Sequence, residues 1–64
     1  MLSSREKEVL RLVAEGSSNQ DIGDALKISV RTVEAHRSRV MLKLSLASVA
    51  ELVRYAVRNQ LIDP

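Results

Sequence analysis

Four serines punctuate this chain at intervals that suit short helices and little else. Ser3, Ser18, Ser29 and Ser48 each precede a stretch whose apolar residues recur at helical spacing. A serine hydroxyl can accept a hydrogen bond from the free N–H groups that open a helix, so serine is favoured there and disfavoured inside. Glu6, Asp21 and Glu51 stand three residues after Ser3, Ser18 and Ser48. From that position a carboxylate complements the opening turn, and a Glu there completes a capping box. The pattern predicts four helices, roughly 4–15, 19–26, 30–44 and 49–59. Gly16 stands where the first should stop, and Lys27-Ile28 forms a short connection between the second and third. Leu61 and Ile62 are expected to fold back on the body. No segment alternates apolar and polar residues as a half-buried strand would. The expectation is an all-α fold, one domain spanning residues 1–64.

Size then narrows the function. At 64 residues without a cysteine, the chain has no disulfide staple, no thiolate metal site and no cysteine nucleophile. A domain this small barely closes a core, let alone a substrate pocket. Tyr55 is the only aromatic residue, so the core must be aliphatic. The single histidine, His36, has no identifiable acid partner, and neither a Gly-rich phosphate loop nor a metal-ligand spacing occurs. The reading is a binding protein rather than an enzyme, with no metal and no cofactor. Absent cysteines and the lack of an 18-residue apolar run fit a cytoplasmic chain with no membrane partner.

Net charge is only +2, but it is unevenly distributed. Residues 1–26 carry three cations and five carboxylates. Residues 27–43 carry Lys27, Arg31, Arg37, Arg39 and Lys43 against Glu34 alone. A basic stripe confined to one element is the footprint expected for a polyanionic partner, although a solvated helix face gives the same composition.

That basic segment is the third expected helix. At about 100° per residue, Val33, Val40 and Leu44 share one side, which must face the core. Arg31, Glu34, Ala35 and Ser38 cluster opposite. They are mostly short or polar, so nothing bulky blocks close approach. Thr32, His36, Arg39 and Lys43 lie along one flank and Arg37 along the other. This layout suits a helix that enters a DNA groove: hydrogen-bonding residues meet base edges while cations on the margins meet phosphates. The shorter helix before it, joined by a tight turn, completes a helix-turn-helix arrangement.

The runs SSREKEVL (3–10), EGSSNQDI (15–22) and ISVRTVEAHRSR (28–39), continued by Lys43-Leu44 and Ala50–Ala56, resemble the LuxR-type helix-turn-helix domain that ends LuxR, NarL and FixJ-like regulators. The resemblance implies sequence-specific binding of double-stranded DNA, with the third helix in the major groove, in bacterial transcription regulation. It also implies a homodimer through the fourth helix, where Val53 and Val57 would form the interface. An upstream receiver or ligand-binding domain, often of a two-component response regulator, and RNA polymerase would be further partners. Carried over position by position, Arg31, Glu34, Ala35 and Ser38 would read bases. Asn19, Gln20, Thr32, His36, Arg37 and Lys43 would lie at or near the DNA backbone. The competing reading is a helical interaction module whose basic helix docks on an acidic protein.

Four positions depart from the family pattern, one of them Ser45, which stands where glycine is common. Glu34 replaces a common lysine; it can accept a hydrogen bond from cytosine N4 but repels phosphates. Leu42 stands where a charge is common. Gly23 replaces a usual alanine, and since glycine weakens helix interiors, Gly23→Ala is expected to be neutral or stabilising.

Overall fold

The computed structural model describes residues 1–63. Pro64, the last residue of the expected domain, lies outside the described residues. The four helices are α1 (Ser4–Ala14), α2 (Asn19–Leu26), α3 (Val30–Lys43) and α4 (Val49–Arg58), and no described residue lies in a strand. Each of the four serines occupies the cap position in extended conformation, and its hydroxyl accepts from the backbone N–H three residues on. Three helices end one residue earlier than the sequence suggests. Glu15, Leu44 and Asn59 are caps whose N–H groups still donate back into the helix. The chain then leaves by a left-handed residue at Gly16, Ser45 and Gln60; α2 ends on left-handed Lys27. Only the first of these is a glycine, so the other stops carried no glycine signal.

The core is aliphatic, as the composition requires. Val9, Leu10 and Val13 of α1, Ile22 of α2, Val33 and Val40 of α3, and Leu52 and Ala56 of α4 are buried. Helix α1 packs against the other three, and α2 and α3 pack against each other. Leu44, Leu46, Tyr55 and Leu61 close the edges of this core. No described helix is long and apolar enough to cross a membrane.

One charged residue joins the core. Glu6 is 4 % exposed. Its Oε1 accepts from the Ser3 backbone N–H at 2.9 Å and from Lys43 Nζ at 2.9 Å. The hydrogen bond from Lys43 above all, then that from Ser3, lowers the Glu6 pKa from 4.5 to about 2. The folded value lies below the ordinary one. The charged pair therefore adds stability that is complete above about pH 4.5 and fades as the pH falls toward about 2. Glu6→Gln should lower the melting temperature by several degrees at pH 7. Its melting temperature should also fall less than that of the wild type between pH 5 and pH 2.5. Parallel thermal melts across that range check this; equal acid sensitivity in the two chains would remove Glu6 from the account.

Candidate nucleic-acid interface

The surface that the sequence singles out is built on α3, and the fold determines what that helix shows. Val33 and Val40 are fully buried, which turns the opposite side to solvent. Arg31, Glu34, Ala35, Ser38 and Arg39 are all exposed, and Leu42 at the end of the same face is 80 % exposed. Fourteen residues give a rod about 21 Å long, and its diameter suits a major groove about 12 Å wide. The four residues expected to read bases thus share one open face.

The turn before α3 fixes its angle to α2. Lys27 adopts the left-handed conformation (φ 59°), and the Ile28 N–H donates to the Gly23 carbonyl at 3.0 Å. The chain folds tightly over Gly23, which is buried. A methyl carbon added to Gly23 would lie 2.8 Å from the Ile28 carbonyl oxygen, 3.7 Å from the Val30 nitrogen and 3.8 Å from the Ser29 carbonyl carbon. The first contact is with backbone, which cannot swing aside as a side chain can. The expectation that Gly23→Ala is neutral or stabilising is therefore corrected: alanine here collides with the turn that aims α3.

The residues expected at the DNA backbone behave differently from one another. Arg37 does not stand free on its flank: its Nη1 donates to Asn19 Oδ1 on α2 at 2.6 Å. Lys43 is drawn inward to Glu6 and makes a weaker contact with the Met1 carbonyl at 3.4 Å. The Thr32 hydroxyl lies 2.9 Å from the Ser29 hydroxyl, within the cap of α3. Gln20 Nε2 donates to Asp24 along α2 at 3.3 Å. His36 is half-buried, with Nδ1 enclosed and unpartnered. Arg31 and Arg39 remain exposed, and neither forms an ion pair among the described residues. Arg39 is not among the contacts carried over from the family, although the layout of the helix sets it on a cationic flank. The available signal was its place on the flank one turn from Ala35, with no acid nearby in the helix.

On α4, Leu52 and Ala56 belong to the core, whereas Val53 and Val57 lie outside it and are half-buried. Val49, 46 % exposed, continues the line at four-residue spacing. An apolar stripe therefore runs along α4 beside the core face.

Comparison with known proteins finds a matching family model and several relatives. Residues 1–56 match the model of bacterial regulatory proteins of the luxR family. The chain is 51 % identical over 63 residues to the oxygen regulatory protein NreC of Staphylococcus haemolyticus, covering 98 % of this chain and 29 % of that protein. The NreC proteins of Staphylococcus epidermidis and Staphylococcus aureus are 49 % and 48 % identical over the same length and coverage. The chain thus spans under a third of the length of these relatives.

Proposed function

Because the chain belongs to the luxR family of bacterial regulatory proteins, we propose that it binds double-stranded DNA sequence-specifically and serves transcription regulation in the cytoplasm. Helix α3 enters the major groove. Arg31, Glu34, Ala35 and Ser38 face base edges, and Gln20, Thr32, His36 and Arg39 lie toward the phosphates. The observation that carries this reading is the division of labour on α3. Arg37 and Lys43 are tied to other helices, whereas Arg31 and Arg39 are exposed and, among the described residues, unpaired, beside a face of mostly short or polar side chains. A surface held this way offers both terms of DNA recognition: charge for the backbone and a shallow, polar ridge for the bases.

Lys43 takes a structural role in this proposal. Replacing it should disturb the fold through Glu6 rather than merely remove a phosphate contact. The whole of residues 1–64 acts as one DNA-binding module, and Val53 and Val57 pair two copies on DNA. The relatives are more than three times longer, which leaves room for a receiver or ligand-binding domain that controls this module and for RNA polymerase as the downstream partner.

Glu34 and Arg31 separate base reading from simple attraction. On a duplex selected from a randomised pool, Arg31→Ala should lower affinity about tenfold or more. Glu34→Ala should tighten binding to a scrambled duplex while lowering the ratio of selected to scrambled affinity. Titrations of both duplexes check this. If Glu34→Ala improves both by the same factor, Glu34 reads no base and only tempers the attraction.

A further inference from the structure

Arg37 and Asn19 form the only side-chain hydrogen bond between α2 and α3 among the described residues, and they are 18 positions apart in sequence. Arg37 Nη1 donates to Asn19 Oδ1 at 2.6 Å, a short, charge-assisted bond. This contact settles the orientation of the amide. With Oδ1 held by a guanidinium that can only donate, Nδ2 must form the other branch. Among the described residues Asn19 Nδ2 donates to no protein atom, and it is not among the buried atoms lacking a partner, so it is not sealed from solvent. Among the described residues no carboxylate pairs with Arg37, which leaves the asparagine as its only side-chain partner there.

We propose that Arg37 is a positioning residue that acts through Asn19. It locks the amide so that only donors face outward, and the Asn19 Nδ2 hydrogens contact a DNA phosphate. Arg37 itself makes no phosphate contact. This inference rests on the DNA-binding reading and adds a mechanism to it: a neutral donor, oriented by a buried-side cation, rather than a cation neutralising a phosphate. The two roles leave different traces. A cation that neutralises a phosphate releases a counterion, so its removal lowers the slope of log affinity against log salt by about one unit. Loss of an oriented neutral donor weakens binding without that change.

The test uses the wild-type chain and Arg37→Met, Asn19→Ala, the double variant and Asn19→Asp, with one duplex selected from a randomised pool and its scrambled counterpart. Affinities are measured at several salt concentrations, well below each melting temperature. Arg37→Met and Asn19→Ala should each weaken binding to both duplexes about five- to tenfold. The salt slope should change by less than about half a unit, and the double variant should be no weaker than either single one. Asn19→Asp should move stability and binding in opposite directions. An ion pair with Arg37 raises the melting temperature by a few degrees, while a carboxylate facing the phosphate cuts affinity more than tenfold. A slope reduced by about one unit in Arg37→Met, or additive losses in the double variant, would show that Arg37 meets a phosphate itself. Unchanged affinity in Arg37→Met and Asn19→Ala alongside lowered melting temperatures would reduce the pair to a fold contact. If the wild-type chain selects no duplex at all, the DNA-binding reading falls and this inference with it.

Discussion

Gly23→Ala should lower the melting temperature of this domain by about 10 °C and weaken its hold on DNA. In an unobstructed helix interior, the substitution would gain about 0.5–1 kcal/mol from helix propensity. Here the new methyl would lie 2.8 Å from the Ile28 carbonyl oxygen, and that oxygen belongs to the turn joining α2 to α3. Overpacking against an immobile neighbour costs about 1–3 kcal/mol, so the clash outweighs the propensity gain. A domain of this size has only about 3–10 kcal/mol in total, and each kcal/mol lost moves its melting temperature by about 4–8 °C. Relief requires the turn to lift, which rotates α3 away from the angle that Ile22 and Val33 fix in the core. Calorimetry of the two chains and a titration with the selected duplex check both effects. An equal or higher melting temperature would mean that the turn yields at no cost.

The same position shows where sequence reading stops. The four caps were legible because a serine and the N–H groups it serves are three residues apart, and no tertiary contact is needed to recognise them. The core face of α3 was legible because Val33 and Val40 fix the direction of every other side chain on that helix. The Gly23 contact was not, because it depends on the path of a turn five residues later. Nor were the partners of Arg37 and Lys43: Asn19 and Glu6 lie 18 and 37 residues away, and only the packed fold brings them together. Nothing in the sequence marks which cations of residues 27–43 are held by other helices. The structure divides them into two that brace α3 and others that stay in solvent. On α4 the spacing alone leaves open which apolar residues face inward, and it is Leu52 and Ala56 that fill the core.

Inserting five base pairs between the two half-sites of the selected duplex should weaken binding about a hundredfold. Half a helical turn moves the second half-site to the opposite face of the DNA. The Cα atoms of each domain span 28 × 22 × 20 Å, so moving one copy to the opposite face of the duplex should part the two copies. The second copy then binds without the raised local concentration that contact with the first provides. If the stripe of Val49, Val53 and Val57 makes that contact, Val53→Asp combined with Val57→Asp should give the same loss on the unmodified duplex. The variant should also become insensitive to the insertion. Its cooperative melting should survive, since neither residue belongs to the core. Loss of cooperative melting in the variant, or an insertion without effect on the wild type, would remove α4 as the pairing surface.

The claim on which the rest depends is that the outer face of α3 reads base sequence. Competition for the wild-type chain between the selected duplex and a scrambled duplex of identical composition, repeated at several salt concentrations, tests it most directly. A groove-reading helix should prefer the selected duplex by about a thousandfold or more, a ratio typical of specific complexes. That preference should persist as rising salt weakens both. Equal competition by the two duplexes at every salt concentration would contradict the account and leave α3 as a basic surface for any polyanion.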